Sequence, residues 1–417
     1  MKRYISLILA LTAVCGLLAG CGSGEPAPTE ATESTAPAYN YPTINDRLTW
    51  EKINSFPLKR EDMTEDEMRK LCVDFFKFSK TALWIPDENF TYTKTKKGNT
   101  DEMLMGKIYG GLPYVGVASG NIYRLMDYID EETGVVDMTE PSQDPTLFGN
   151  QCSIGAYWGW CRVINSANYS WTFDMVQSKG FLRVGPYTYD DSIARFIEGV
   201  SDTSMIIQEN GEQVMYESYA AMKPADGLVS YVSAGHTMMC TGEPVVVYSE
   251  DGTIDPVNSY VTITDQYSNW VEGTNEAGDT FTYKNNVDYQ YPFYKLLEDS
   301  YIPFTFAEFL GTDPVEKTEC TYSHTGSSIT VSQLRSGEIR ANYGISDVYA
   351  IIRDGAGNEV FRCAKRSGAA GILSTNLFKT MPEDRFEEFA DGKHTVEVVC
   401  QLGTGERPSL YKGTLTK

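Results

Sequence analysis

Apolar positions dominate from Ile5 through Leu18, interrupted only by Ser6 and Thr12, and then thin out, so that from Gly22 to about Tyr41 the chain is mostly Pro, Thr, Ala, Ser, Glu and Gly without a period. Such a stretch buries too little surface to offset its ordering entropy, and residues 21–45 read as a disordered tether. Helical periodicity begins at Thr64. Thr64 and Glu67 have the spacing of a capping box, Met63 and Met68 that of a hydrophobic staple, and Met68, Leu71, Cys72, Phe75 and Phe76 recur on one face. Cys72 is therefore expected to be a small buried apolar residue. A second helix is predicted from Cys152, where Ile154, Tyr157, Trp158, Cys161 and Ile164 keep helical spacing, and a third over 190–198, stopped by Gly199.

The period then shortens to two. Strands are predicted over 228–232, 237–240, 245–248 and 260–264, with Asp251-Gly252 as a turn. Beyond Gly311 short strands follow over 328–331, 348–352, 358–362, 394–401 and 410–415, two of them joined by Gly355-Ala356-Gly357-Asn358. Helices first and antiparallel strands later predict an α+β domain over 46–311, followed by a small all-β sandwich of immunoglobulin-like length over 312–417.

Charge narrows the partners. The chain has 57 acidic and 35 basic residues, a formal net charge of −22, which disfavours nucleic acid and anionic lipid head groups. Lys2 and Arg3 before the apolar run, and Leu18-Ala19-Gly20-Cys21 after it, have the order of a secretory signal over 1–20, and the run is short for a membrane span. The Leu-Ala-Gly-Cys ending resembles a bacterial lipobox. The resemblance implies that Cys21 becomes the first residue of the mature chain, receives acyl chains, and anchors the protein to the extracytoplasmic face of the cell membrane.

Of the 9 cysteines, Cys15 leaves with the signal and Cys21 is lipidated, leaving Cys72, Cys152, Cys161, Cys240, Cys320, Cys363 and Cys400. Their odd number means that at least one is free or pairs between chains. Disulfides are expected foremost among Cys320, Cys363 and Cys400, with connectivity open. The spacings match no zinc site, and no cofactor is expected.

One cysteine has the setting of a nucleophile. In Gly149-Asn150-Gln151-Cys152-Ser153 the thiol follows a turn and opens a helix, whose N-terminus favours a thiolate and aims N–H groups at developing negative charge. A base is scarce, because of 3 histidines two, His324 and His394, lie in the C-terminal β region and are expected to have no catalytic duty. His236 remains, at the start of a strand, its ring projecting from a sheet edge. If the strand ending in Asp265 is its antiparallel neighbour, Asp265 meets the far nitrogen of His236 and fixes its tautomer. Asn258 is the alternative orienting residue, and Asp226 reads as a structural turn acceptor.

This order of nucleophile helix, strand beginning with His and strand carrying an acid is similar to the papain-like fold, and resembles the NlpC-type peptidoglycan endopeptidases in particular. Gly149-Asn150-Gln151-Cys152-Ser153 matches that family's Asp-Cys-Ser-Gly segment. Lys223-Pro224-Ala225-Asp226-Gly227-Leu228 with Gly235-His236 matches its Pro-Gly-Asp-Leu and Gly-His segments, and Gly110-Gly111-Leu112-Pro113-Tyr114 its Gly-x-Pro-Tyr. Gln151 stands in place of the family's Asp, Ile154 in place of its Gly, and Tyr114 lies farther upstream of Cys152 than the family's tyrosine. The resemblance implies a cysteine peptidase or amidase acting on peptidoglycan stem peptides. Cys152 would be nucleophile, His236 base, Asp265 its orienting group, and the Cys152 N–H, with Gln151 nearby, part of the oxyanion hole.

Two other classes compete. A non-catalytic envelope lipoprotein would use the same scaffold to bind peptide, glycan or a protein partner, and a solute-binding lipoprotein would need two α/β lobes that the strand-rich second half does not provide. The 27 tyrosines, including the run from Asp288 to Tyr294, read first as half-buried surface rather than as a sugar-stacking platform.

Overall fold

A computed structural model of the chain describes residues 40–58, 60–93, 98–116, 120–139, 149–167, 172, 181–188, 203–232, 235–324, 328–367, 371–373 and 383–417. The signal, Cys21, most of the tether and the helix expected over 190–198 lie outside these residues. After a short α1 (Trp50–Asn54), α2 (Glu65–Thr81) starts as its sequence dictates: the Thr64 side chain accepts from the Glu67 N–H, and the Glu67 carboxylate accepts from the Thr64 N–H at 2.8 Å. Its Met68, Leu71, Cys72 and Phe76 are buried in the main core. A one-turn α3 (Ile122–Leu125) precedes α4 (Cys152–Trp160), all nine residues of which are buried. α4 stops short of Ile164: residues 161–163 form a turn in which the Val163 N–H reaches back only three residues, to the Trp160 carbonyl.

The strands of the first two-thirds are β1 (Leu83–Pro86), β2 (Phe90–Thr93), β3 (Thr100–Met103), β4 (Tyr109–Gly110), β5 (Val135–Val136), β6 (Phe181–Arg183), β7 (Gly227–Tyr231), β8 (Gly235–Cys240), β9 (Tyr260–Thr274), β10 (Thr280–Pro292) and β11 (Ile302–Phe306). β2 and β3 form a separate hairpin, and the others make one sheet in the order β5-β1-β4-β10-β9-β8-β7-β11-β6. β7, β8 and β9 are antiparallel neighbours, with Met238 opposite Asp265. The expected edge position of His236 is therefore corrected: β8 is an interior strand, and His236 lies near its N-terminal end. No strand forms over 245–248. Val245 and Tyr248 make only isolated bridges, and Val245, Val247 and Tyr248 face solvent, so their apolar character finds no sheet face to cover.

The last hundred residues supply β12 (Cys320–Ser323), β13 (Ser328–Thr330), β14 (Glu338–Ala341), β15 (Ile345–Arg353), β16 (Glu359–Arg366), β17 (Gly371–Leu373), β18 (Asp391–Leu402) and β19 (Ser409–Thr416). They form a sheet β12-β14-β17 and a sheet β13-β19-β18-β15-β16, which share an apolar core that includes Ile339, Val348, Ile352, Val396 and Val398. All seven described cysteines are free thiols, so the expected disulfides are absent among the described residues. The topology explains part of this: β15 separates the strands of Cys363 and Cys400, pairing with each on opposite edges. Cys320 and Cys400 are in side-chain contact as thiols.

The molecule is thus α+β, and residues 41–417 form one compact unit. Where the C-terminal sheets meet α3, Arg124 and Asp347 pair at 3.2 Å, almost fully buried, while Asn121 donates to the Ser346 hydroxyl at 2.8 Å and the Tyr123 hydroxyl to the Gly403 carbonyl at 3.2 Å. A buried pair of this kind is destabilising to break from one side, since it leaves an uncompensated charge.

Candidate active site

α4 carries Cys152 to the end of the sheet that holds His236. An apolar helix on every side must be enclosed, and α4 packs against α2, β8 and β9. Gln151 precedes it in extended conformation and makes no side-chain cap, so Cys152 is the first residue of the helix, at the positive end of its dipole. Cys152 is 4% exposed. Its Sγ lies 3.9 Å from the Gly235 carbonyl oxygen and 4.0 Å from Thr172 Oγ1.

His236 bridges the thiol and an acid. Its Nε2 donates to Asp265 Oδ2 at 2.7 Å, and the Cys152 thiol lies close enough to act on the charge of the ring. Asp265 is 2% exposed, and its second oxygen accepts from the Asn286 N–H at 3.0 Å on β10. Sequence distance is closed by register, because β8 and β9 run antiparallel with Met238 facing Asp265. Asn258 is elsewhere, exposed in a turn, with its amide donating to Asp255 at 2.6 Å. Asp226 is structural: it accepts from the Lys223 N–H at 2.8 Å and pairs with Arg69 at 2.7 Å.

The electrostatics separate this thiol from the others. Burial pushes the Cys152 thiol up, but the charge and hydrogen bond of His236, the Thr237 N–H and the Thr172 hydroxyl outweigh it and leave the thiol below its ordinary value. Burial likewise pushes His236 down, yet the Cys152 thiolate and the Asp265 carboxylate raise it to about 10. Cys72 and Cys240, equally buried, have no such partner and are pushed up. A thiol held down beside a histidine held up is the signature of a thiolate–imidazolium pair.

Four residues that sequence reasoning gave little or no part also face the site. Tyr114 pairs through its backbone with Asn150, two residues before Cys152, and the charges of Cys152 and Asp265, after burial, push its phenol up. Its distance along the chain is cancelled by this bridge. Thr172 approaches the thiol as described, and Tyr301 stands edge-on to His236 with ring centroids 6.3 Å apart. Lys80 lies fully buried below α4, where its sequence signal was a lysine continuing the apolar stripe four residues after Phe76. Among the described residues no cluster of three His, Cys, Asp or Glu could hold a metal ion. No family model, curated protein or solved structure matches the chain.

Proposed function

We propose that residues 46–311 are a papain-like domain and 312–417 an immunoglobulin-like sandwich, in a lipid-anchored, extracytoplasmic cysteine hydrolase that cleaves an amide bond of peptidoglycan stem peptides. The observation that carries this reading is the Cys152 thiol at the start of a buried helix, beside His236, whose Nε2 holds a buried carboxylate at 2.7 Å. The motif resemblance supplies the substrate class. In the first half-reaction Cys152 Sγ attacks the carbonyl carbon and the oxygen gains negative charge beside the first-turn N–H groups of α4. His236 then gives its proton to the leaving amine as the C–N bond breaks, which leaves a thioester. Water, deprotonated by His236, attacks the thioester, and the thiolate leaves as the acid product forms. Asp265 holds the ring and balances its charge throughout.

The test is release of amine from stem-peptide fragments by the full-length chain and its Cys152→Ala variant. Loss of turnover by at least about 10³-fold with unchanged folding is expected; equal activity in the variant eliminates the mechanism. A second reading, a non-catalytic binding lipoprotein on the same scaffold, is favoured by the 4% exposure of Cys152 and by a cleft of about 690 Å³ lined by Asp127, Tyr128, Tyr349, Arg362 and Arg366, to which Cys152, His236 and Asp265 contribute nothing. Cys152 alkylation distinguishes the two, because an activated thiolate reacts well below the free-cysteine value of about 8.5.

A further inference from the structure

Lys80 carries its amine into the core beneath α4. It is 1% exposed at the end of α2, and its Nζ lies 4.9 Å from the Phe76 ring centroid. Nζ donates to Gln266 Oε1 at 2.6 Å. The orientation of that amide is fixed, since Gln266 Nε2 donates to the Leu112 carbonyl at 2.8 Å and to the Lys284 carbonyl at 3.3 Å. Nζ also rests on the first turn of α4 at Gly155, where an added Cβ would come within 2.6 Å of it. Beneath it the chain is equally tight: Gly111 has φ +63, and a Cβ there would meet the Lys80 carbonyl oxygen at 2.5 Å.

The charges that face Nζ are Asp265 from β9 and Cys152 from α4. On β10 the Lys284 ammonium is engaged by Asp101 and by the Trp270 ring, and on α2 the nearby Asp74 pairs with Lys70 at the surface. Close to the same point on Gly155 stands the Asn150 amide, 3.6 Å from the added Cβ, whose buried Oδ1 has no hydrogen-bond partner. A buried ammonium is retained only where charge or acceptors compensate its desolvation. A thiolate, an imidazolium and a carboxylate together carry one uncompensated negative charge, and Lys80 is the buried cation beside them.

We propose that Lys80 is a positioning residue for Cys152, His236 and Asp265: from under the first turn of α4 its ammonium balances the Cys152 thiolate and the Asp265 carboxylate. Through Gln266, it also ties the strand of Asp265 to the segment that carries Tyr114. The proposal rests on the reading of Cys152 as an activated thiol. Burial pushes the Lys80 amine down and the charges of Asp265 and Cys152 draw it partly back, to about 7, so the cation is present on the acid side of neutrality.

The experiment is the pH dependence of Cys152 alkylation by iodoacetamide, followed by mass spectrometry of its peptide, in the full-length chain and in Lys80→Met. The alkylation rate at pH 6 should fall by about tenfold in the variant, equivalent to a midpoint about one unit higher. A folded variant with the parent's midpoint overturns the proposal while leaving the hydrolase reading intact. A parent whose Cys152 titrates as a free cysteine overturns both. To guard against a variant that fails to fold, the Lys80 side chain is titrated by NMR in the parent and in Cys152→Ser. Linkage requires the amine to titrate lower when the thiolate is removed, and identical titration overturns the proposal.

Discussion

His236 and His394 each hold an aspartate at hydrogen-bond distance, 2.7 Å to Asp265 and 3.0 Å to Asp391, in different parts of the molecule. The resemblance ends there. His394 and Asp391 are three residues apart, Asp391 is 41% exposed, and its carboxyl is held down to about 2 first by the Lys393 N–H and then by His394. The remaining face of the His394 ring meets Phe389, at 5.2 Å between centroids. His236 and Asp265 are 29 residues apart, brought together by strand register, with the acid 2% exposed and a thiol across the ring. A local pair in water is worth little and asks for no support. A long-range buried pair must be held by its surroundings, and here they provide an Asn286 N–H, a buried lysine and a group able to give up a proton.

The contrast can be broken by exchanging its parts. His236→Ala should reduce turnover of stem-peptide fragments by about 10³-fold, whereas His394→Ala should leave it unchanged; a comparable loss in both would dissolve the distinction. Asp265→Asn should cost about 10²-fold, because the amide both fails to balance the imidazolium and permits the wrong tautomer. Asp391→Asn should have no effect on turnover. The same pair gives a stability signature. His236 is held above its ordinary 6.5, so its contribution to folding is complete below that value and is lost as pH rises through about 10. Denaturation midpoints of the parent and of Asp265→Asn should therefore draw together across that window, and parallel curves would argue against the pair. Smallest of the set is Tyr114→Phe, expected to slow turnover by about tenfold while the Cys152 alkylation midpoint stays put. A shifted midpoint would mean that the phenol acts on the resting thiol rather than on the reacting substrate.

Much of this arrangement was legible. The capping box at Thr64 and the helix opening at Cys152 follow from local periods and turn residues, because each is governed by neighbours a few positions away, and the pairing that joins His236 to Asp265 follows from two strand periods separated by a short excursion. What was not legible depended on the far side of a contact. The apolar residues from Val245 to Tyr248 have strand character, but no strand lies beside them to receive it. β9 runs on from Thr264 to Thr274, through Gln266 and Asn269, because β10 offers its edge. Tyr114 is near Cys152 by virtue of one backbone bridge to Asn150. Lys80 reads as an ordinary surface lysine unless the Phe76 stripe is extended by one more turn, and even then its partner Gln266 comes from a strand 186 residues away. The cysteines of the C-terminal half have disulfide-like spacing, yet β15 keeps Cys363 from Cys400.

The nine-stranded sheet closes on its two outer sides with the shortest of pieces, Val135–Val136 at one end and Phe181–Arg183 at the other. An incoming chain would find only two or three residues of open ladder there, too few to recruit a foreign strand. The long hairpin of β9 and β10 lies in the middle of the sheet, where β4 pairs with β10 only at Thr282 and Tyr283 and β8 with β9 only from Ile263 to Asp265. Strand order thereby leaves only short ladders open at the two ends of the described sheet, whereas the hairpin at its centre relies on its own two strands for most of its pairing.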